Sequence, residues 1–401
     1  MRIMDLQWEG VLAAYGELAL KSKPVRRRWV KMLISNVTTG LAEAGIKAQV
    51  SHKWSRIIVK TLEVEKSVEV LNRVFGLTYI APFAYVNLDE LEDYMAREAK
   101  NLLEGADSFA VRVRRTGKHE FTSLDFERRL GAILKEKTSV KVSLEKPDRT
   151  IYVEVHNGEC YVYTHRVECY GGLPLGSSGR VVALISTGID SPVATWLMMK
   201  RGCSIVVLHA QVNPGKPEAC TRKLLDIVEV LKGWHIGLNI PVYVYKHGEA
   251  LAEISRHATN YTCILCKRLM LRVAERLSRE KGAKAIVTGE NLGQVASQTL
   301  DNLNAIDSAI EIPVLRPLIG FDKEEIVSLA RRIGTYEVSI RPDPECSQET
   351  ACWAKPSKPA TKADLEKVLK FEKEVQMDKL IDRACETIME IRQQFYTFKI
   401  Q

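Results

Sequence analysis

The first 170 residues combine two patterns of hydrophobic positions, one with the period of a strand and one with the period of a helix. The segment GVLAAYGELALK (10–21) and residues 56–59 predict strands, and a basic helix between them is marked by apolar residues three and four apart, Val30, Leu33, Ile34, Val37 and Leu41. Further along, predicted helices and alternating strands follow one another at 91–103, 109–115, 126–137 and 150–155. This order predicts small units in which helices pack on one sheet.

A glycine-rich segment, 171–179, separates this region from a second pattern. Beyond it, short apolar runs predict buried parallel strands at 181–185, 205–209, 242–245 and 285–288. Between and after these strands, helical periodicity predicts helices at 192–202, 223–231, 265–281 and 323–333. The alternation predicts an open, doubly wound α/β sheet, followed by a charged helix or helix pair over 364–394.

The composition is that of an ordinary folded protein. Of 401 residues, 46% are hydrophobic and 27% are charged, which excludes disordered, collagen-like and disulfide-scaffold classes. No apolar run approaches the roughly 18 residues of a membrane span, and Asp5 and Glu9 stand where a signal peptide needs an apolar stretch. The nine cysteines favour reduced thiols over a disulfide framework. We therefore expect a cytoplasmic protein with no membrane partner.

Positive charge is concentrated near the beginning of the chain. The net charge is +8, and residues 1–60 contribute +7 of it, from eleven Lys and Arg against four Asp and Glu. This asymmetry favours a polyanionic partner such as nucleic acid, although a solvated basic face would explain the charge equally well.

A loop of small residues joins the predicted strand 181–185 to the helix after it, with the sequence STGIDS (186–191). Small residues let backbone N–H groups reach a phosphate, and the helix dipole favours the anion. The acidic Asp190 is expected to hold a magnesium ion or to orient the loop. Taken alone, the loop is also explained by a capped turn with no ligand.

A second loop, TGENLGQVASQT (288–299), follows another predicted buried strand. Gly289 and Gly293 keep its backbone open, and Gln294 and Gln298 offer neutral polar groups. In a doubly wound sheet, both loops lie beyond the carboxyl ends of strands, where a nucleotide binds. The first loop resembles the pyrophosphate-binding loop of the ATP-pyrophosphatase superfamily, usually S-G-G-x-D-S, with Thr187 replacing a glycine. A β-branched residue at this position requires a negative φ.

Four motifs together resemble the tRNA 4-thiouridine synthetase family, which is also linked to thiamine biosynthesis. They are YGELALKS (15–22), VRVRRTGKHEFTS (111–123), STGIDSPVA (186–194) and TGENLGQVASQTLDNL (288–303). The resemblance implies an α/β fold with a ferredoxin-like domain over 1–62, a THUMP domain over 63–168 and a doubly wound ATP-pyrophosphatase (PP-loop) domain over 177–401. THUMP domains bind tRNA, and the basic strand and turn suited to RNA phosphates contain Arg112, Arg114, Arg115 and Lys118. Ordinary surface arginines on a solvent-facing strand are the alternative.

The resemblance implies an ATP-dependent tRNA sulfurtransferase. In this family, O4 of uridine 8 attacks the α-phosphate of ATP, pyrophosphate leaves, and a sulfur nucleophile then displaces AMP to give 4-thiouridine. Asp190 is expected to be catalytic, and Mg²⁺ is expected with ATP. The implied ATP contacts are Leu184, Ile185, Ser186, Gly188, Ser191, Leu208, His209, Lys267, Gly289 and Gln298. Of these, His209 is also explained as an ordinary strand-end histidine.

The sulfur chemistry is expected to depend on three cysteines. The resemblance makes Cys346 the catalytic cysteine, which carries a persulfide or releases sulfur from one, and Cys263 and Cys266 form a C-x-x-C pair at the start of a predicted helix. The trio is consistent with a redox relay, with a zinc site completed by Cys352 or a histidine, or with an iron–sulfur cluster that has one open iron. Archaeal-type family members with this pattern resemble the third case, so Cys263, Cys266 and Cys346 are the expected metal ligands. A pair of core cysteines is the structural alternative.

The source of sulfur is expected to be external. Only 49 residues follow Cys352, too few for the rhodanese-like domain of many bacterial members, so free sulfide or a separate sulfur-carrier protein is the expected donor. The remaining cysteines show no ligand spacing and are expected to be structural: Cys160, Cys169, Cys203, Cys220 and Cys385.

Two other functions fit parts of the sequence. One is an ATP-pyrophosphatase that acts on a small molecule, and the other is a tRNA-binding PP-loop protein with a different or non-catalytic role. The basic, RNA-binding-like first 170 residues weigh against the former, and retention of Asp190, Ser191, Lys267 and Cys346 weighs against the latter. A homodimer is expected from the family, because the tRNA substrate is long and bent.

Overall fold

The computed structural model describes residues 8–117, 120–213, 220–342 and 352–391. The chain divides into two compact units, Met1–Pro174 and Leu175–Gln401. In the described part of the chain, no helix combines the length and the apolar character needed to cross a bilayer.

The first unit is built on one mixed sheet. Its strands are β1 (Gly10–Tyr15), β2 (Gln49–Lys53), β3 (Arg56–Lys60), β4 (Leu77–Asn87), β5 (Ser108–Thr116), β6 (Lys141–Val142), β7 (Arg149–His156), β8 (Glu159–Tyr163) and β9 (Val167–Glu168). Its α-helices are α1 (Lys23–Glu43), α2 (Val64–Leu71), α3 (Leu91–Leu102) and α4 (Ser123–Thr138). The strand order is β2-β3-β1-β4-β8-β7-β5-β6, with β9 beside β4.

The long strand β4 belongs to both halves of this sheet. Its residues 77–83 pair with β1, and its residues 84–87 pair with β8. Apolar residues of α3 and α4, among them Leu91, Met95 and Leu130, pack on Phe109 of β5 and Ile151 of β7. The expected domain boundary after residue 62 stays a prediction, because the sheet itself runs through β4 without a break.

A buried ion pair joins the two halves of the first unit. Arg56 of β3 and Glu154 of β7 are 4% and 3% exposed, and Nη2 of Arg56 lies 2.9 Å from Oε1 of Glu154. The hydroxyl of Tyr163 donates to the same oxygen at 3.1 Å, and Arg56 donates to the hydroxyl of Tyr79 at 3.2 Å. Because both side chains are buried, neither charge is hydrated, and each is stabilised mainly by its attraction to the other.

We expect Arg56→Met to lower the free energy of unfolding by about 3–5 kcal/mol, since it leaves the Glu154 carboxylate buried without its charged partner. Denaturant unfolding of the full-length protein would measure the loss. Adding Glu154→Gln should restore part of it, because a buried amide costs less than a buried carboxylate. Lys66→Ala, which breaks the exposed pair with Glu63, is the control and should leave stability unchanged. An Arg56→Met protein as stable as the parent would contradict this account.

The second unit has the predicted doubly wound architecture. Its strands are β10 (Arg180–Leu184), β11 (Ser204–Gln211), β12 (Val242–Lys246), β13 (Ile286–Val287), β14 (Val314–Leu315) and β15 (Met389–Glu390). Its helices are α5 (Asp190–Lys200), α6 (Thr221–Lys232), α7 (Gly248–Ala258), α8 (Thr262–Lys281), α9 (Leu300–Asp307), α10 (Lys323–Ile333), α11 (Tyr336–Ile340), α12 (Leu365–Glu374) and α13 (Met377–Glu386). The charged segment 364–394, for which either one helix or a helix pair was expected, thus contains the helix pair α12 and α13.

The strand order of this sheet fixes where a ligand binds. The order is β14-β13-β10-β11-β12-β15, and all pairings are parallel except that of β15 with β12. The chain moves from β10 to β11 on one side and returns to β13 on the other. A crevice therefore opens beyond the carboxyl ends of β10 and β13, which is the general ligand site of such sheets.

Candidate active site

The two predicted loops meet at this crevice. The first leaves β10 at its carboxyl end, and the second leaves β13. A Cβ atom on Gly289 would lie 2.6 Å from the backbone nitrogen of Ser191 and 2.7 Å from its Cα, closer than real Cβ contacts. Only glycine at position 289 allows the second loop to approach the start of α5 so closely.

The first loop is curled around the hydroxyl of Ser191. The backbone N–H of Ser186 donates to Oγ of Ser191 at 2.9 Å, and the two serine hydroxyls lie 3.1 Å apart. The N–H of Gly188 is 3.4 Å from Oγ of Ser186. Thr187 is not among the described non-glycine residues with positive φ, as its β-branched side chain requires. The loop thus presents small residues at the positive end of the dipole of α5.

Asp190 pairs with a lysine that the sequence analysis did not identify. Nζ of Lys323, at the first position of α10, lies 2.5 Å from Oδ1 of Asp190. The side-chain amide of Gln294, in the second loop, donates to Oδ2 at 3.2 Å. The Asp190 carboxylate therefore fixes both an ammonium group and the second loop beside the first loop.

A second set of charges lies beyond β13 and β14. Glu290 binds Nζ of Lys267 at 2.7 Å with one oxygen and Nε of Arg316 at 2.7 Å with the other, and Thr288 donates to it at 3.1 Å. Arg316 also binds Asp307. Burial opposes ionisation of Glu290, but the charges of Lys267 and Arg316 outweigh burial and hold the pKa of Glu290 below its usual value. One ionised carboxylate thus places two cations at the sheet edge.

The four expected contacts at the ends of β10 and β11 lie side by side. Leu184 pairs with Leu208 in the parallel register, and the N–H of Ile185 donates to the carbonyl of Leu208 at 3.1 Å. Nδ1 of His209 lies 2.8 Å from the carbonyl of Ile185, and burial lowers the pKa of His209, so its ring is neutral. The side chains of Ile185 and Leu208 are buried, so a nucleotide would meet their backbone.

Gln298 has a buried polar atom without a partner. The residue is 9% exposed, and its side-chain oxygen makes no hydrogen bond within the described structure. Buried polar atoms are normally satisfied. An amide at the crevice that lacks a protein partner is the expected state of a ligand-binding group.

The cysteine pair lies in the first two turns of α8, because this helix begins at Thr262 and not at the predicted residue 265. Cys263 and Cys266 are free thiols, as is Cys352, and burial raises the pKa of both members of the pair. Cys346 lies outside the described residues. Within the described ranges, no three His, Cys, Asp or Glu side chains are placed to hold a metal ion. Two of the three expected ligands thus lie one helical turn apart, and their sulfur atoms suit iron or zinc.

The cysteines outside this trio differ in state. Four of the five that were expected to be structural are free thiols, namely Cys160, Cys169, Cys203 and Cys385. Cys220 is disulfide-bonded, which corrects the expectation of a reduced thiol at that position.

The basic strand of the first unit does not direct all its cations to one surface. Arg112 and Arg114 alternate along β5 with the buried Val111 and Val113, whereas Arg115 is on the opposite face of the strand. Arg112 is also held by the carbonyl of Leu144. Arg114 and Arg112 are therefore the pair that shares a face, and Lys118 lies outside the described residues.

A second basic surface, which was not predicted residue by residue, surrounds a pocket of about 430 Å³ in the first unit. We call it the N-terminal basic pocket. It is lined by Tyr15, Ala19, Lys23, Arg26, Arg27, Val30, His52, Trp54 and Ser55. Trp54 has φ of +45°, as expected for the first residue of the tight turn between the antiparallel strands β2 and β3. The local charge of +7 in residues 1–60 was the sequence signal for this surface.

Known protein families match successive parts of the chain. The ThiI ferredoxin-like domain matches residues 11–81, the THUMP domain residues 85–165, and the thiamine biosynthesis protein (ThiI) residues 176–377. A probable tRNA sulfurtransferase of Methanobrevibacter smithii is 37% identical over 391 residues, which cover 96% of this chain and 100% of the relative. Another, of Methanocaldococcus jannaschii, is 39% identical over 382 residues, which cover 92% and 97%.

A solved structure with the same fold also matches almost the whole chain. A crystal structure of a 4-thiouridine synthetase–RNA complex with bound ATP superposes with a TM-score of 0.84 at 32% identity, and the match covers 96% of this chain and 100% of that one.

Proposed function

This chain belongs to the ThiI family, and from that premise we propose that it is an ATP-dependent tRNA uridine 4-sulfurtransferase. The main support from the structure is the contact of Gly289 with Ser191, which joins two nucleotide-binding loops at the switch point of the sheet. Release of pyrophosphate that requires both ATP and tRNA, followed by 4-thiouridine formation, would test the proposal. ATP cleavage that is independent of tRNA would favour a small-molecule synthetase instead.

The first half of the reaction is adenylation of uridine 8. O4 of the uridine forms a bond to the α-phosphorus of ATP, the bond to the bridging oxygen breaks, and pyrophosphate leaves. The loop 186–191 accepts the leaving pyrophosphate with its N–H groups and serine hydroxyls at the start of α5. Lys323, held by Asp190 at 2.5 Å, offsets the charge that develops on the leaving group. Mg²⁺ carried by ATP would supply further charge neutralisation beside the Asp190 carboxylate.

The remaining expected contacts have separate tasks. Lys267 is kept at the sheet edge by Glu290 and serves as a phosphate ligand. The backbone beside Leu184, Ile185 and Leu208 receives the adenosine, and the free side-chain oxygen of Gln298 accepts a donor from it.

We expect Gly289→Ala to weaken ATP binding by at least about tenfold, because even one misplaced loop removes a charged hydrogen bond worth about 1.5–3 kcal/mol. The added methyl group would displace the backbone of Ser191 or of the second loop. Isothermal titration with ATP would measure the affinity. Gly320→Ala is the matched control, because no atom lies within 4 Å of a Cβ there. Equal affinities of both variants and the parent would remove the loop contact from the nucleotide site.

The first unit is assigned to tRNA binding. Arg114 and Arg112 of the THUMP strand and the N-terminal basic pocket offer cations to phosphates. Phosphate contacts of this kind position an RNA without reading its sequence.

We expect Arg26→Ala combined with Arg27→Ala to weaken tRNA binding about tenfold at moderate salt and to reduce the slope of log affinity against log salt by about 1–2. Filter binding across a salt series would measure both quantities. Lys66→Ala with Lys100→Ala removes the same charge from exposed positions of α2 and α3 and is the control. If both double variants lose the same affinity, net charge and not the pocket determines binding.

The second half of the reaction replaces oxygen with sulfur. A sulfur nucleophile adds to C4, the bond from C4 to the adenylated oxygen breaks, and AMP leaves. Cys263, Cys266 and Cys346 would hold an iron–sulfur cluster, with zinc as the alternative, and a cluster there would supply iron for binding sulfide. Free sulfide or a separate carrier protein supplies the sulfur. The homodimer remains an expectation from the family.

A further inference from the structure

A buried hydrogen-bond chain ends at the sulfur of Cys266. Nε2 of His247 lies 3.2 Å from Sγ of Cys266, and the hydroxyl of Tyr245 lies 3.2 Å from Nδ1 of the same ring. The side chains of Tyr245 and His247 are both 0% exposed. Both ring nitrogens of His247 therefore have protein hydrogen-bond partners.

The backbone holds this histidine firmly. His247 directly follows β12, and its N–H donates to the carbonyl of Gln211 at the end of β11 at 2.9 Å. The ring of Tyr245 stands at 90° to the imidazole, with 5.6 Å between centroids. Two adjacent strand ends thus fix the imidazole against the first turns of α8.

Either tautomer of the His247 ring fits these two distances. A metal-bound thiolate carries no proton and can only accept, so metal binding by Cys266 selects the tautomer with its proton on Nε2. A neutral imidazole carries one proton. When the hydroxyl of Tyr245 donates to Nδ1, the proton is on Nε2, and that N–H points at Sγ of Cys266. A donor aimed at a sulfur stabilises it when the sulfur is a metal-bound thiolate and orients it toward the metal.

We propose that His247, oriented by Tyr245, is a positioning residue that donates its Nε2–H to the sulfur of Cys266 and thereby strengthens the metal-binding site at the C-x-x-C pair. This inference rests on the proposed ligand role of Cys266. This role differs from that of a metal ligand, because a side chain that only donates an N–H to the sulfur of Cys266 would replace it.

The test uses reduced, metal-free, full-length protein titrated with Cd²⁺, whose sulfur-to-metal charge-transfer absorption reports thiolate binding. We expect His247→Leu to weaken Cd²⁺ binding by about 10–100-fold, as loss of a hydrogen-bonding partner of a metal ligand typically does, and to shift the charge-transfer band. His247→Gln, whose amide N–H replaces the donor, should retain most of the affinity. A His247→Gln protein as weak as His247→Leu would overturn the proposal.

Two variants keep the test decisive if His247→Leu fails to fold. Tyr245→Phe removes only the hydroxyl that orients the imidazole and should weaken Cd²⁺ binding in the same direction. Tyr243→Phe removes the other hydroxyl of β12, which bonds Glu390 instead, and should leave the affinity unchanged. Equal affinity of Tyr245→Phe and the parent would overturn the proposal.

Cys266→Ser separates this inference from the function on which it rests. If Cys266→Ser binds Cd²⁺ as tightly as the parent, the ligand role of Cys266 is wrong and the inference falls with it. If Cys266→Ser binds weakly while His247→Leu, folded, binds normally, only the role of His247 is wrong. Neither result depends on tRNA or ATP. The proposed adenylation is therefore tested separately, by the pyrophosphate-release assay.

Discussion

Replacing Asp190 with asparagine is expected to lower tRNA-dependent pyrophosphate release at least about a hundredfold, the usual scale for losing a group that stabilises transition-state charge. The substitution keeps the shape of the side chain but releases Nζ of Lys323, which Asp190 holds at 2.5 Å. The affinity for tRNA should stay the same, because the proposed RNA contacts lie in the first unit. Pyrophosphate release and filter binding, measured on the same preparation, would separate the two effects.

The ion pair of Asp190 and Lys323 provides an internal check. Lys323→Met should impair the same step, and the double variant should lose less than the two single losses combined, because interacting residues are not additive. Asp382→Asn is the matched control, since it also breaks an exposed ion pair in the second unit, that with Arg276. An Asp190→Asn enzyme that releases pyrophosphate normally, or that loses tRNA affinity instead, would contradict the role assigned here.

The parallel sheet was predictable because its strands are buried on both faces. Residues 181–185 and 205–208 are continuous apolar runs, and the structure places β10 and β11 there. Helices between such strands follow from connection rules, so the doubly wound fold required little more than the alternation.

The elements that were missed have weaker or shorter signals. β8 was not predicted, although it follows Asn157 and Gly158, both with positive φ, which form the tight turn of a hairpin. α7 was also missed, because it follows β12 with no connecting loop between them except His247, its N-cap. A histidine at that point gave no local indication of a helix start.

The candidate site was predictable as loops and not as pairs of side chains. That both loops adjoin the same crevice follows from parallel topology, and Gly289 was identified as a residue that keeps the backbone open. The partner of Asp190 was not predictable, because Lys323 is 133 residues away and its position depends on how α10 packs. The same holds for His247 and Cys266, which meet only because the end of β12 faces α8.

Cys266→Ser is expected to abolish 4-thiouridine formation while tRNA-dependent pyrophosphate release continues near the parent rate. The reason is that adenylation uses the loops beyond β10 and β13 together with Lys267, whereas the sulfur of Cys266 contacts His247 and is proposed to serve only the sulfur step. Cys346→Ala should behave in the same way. Nucleoside analysis of digested tRNA would quantify 4-thiouridine, and a coupled assay would quantify pyrophosphate.

Cys385→Ser is the control, because Cys385 is a free thiol in the second unit without ligand spacing, and it should retain both steps. A Cys266→Ser enzyme that still thiolates tRNA would remove the C-x-x-C pair from the mechanism. Metal analysis of protein purified without oxygen then distinguishes the remaining possibilities. Iron with matching acid-labile sulfide, lost in Cys263→Ser and Cys266→Ser, would establish a cluster that delivers sulfide. Zinc or no metal would instead indicate that Cys346 carries the sulfur, with the pair supporting it as a structural site or by disulfide exchange.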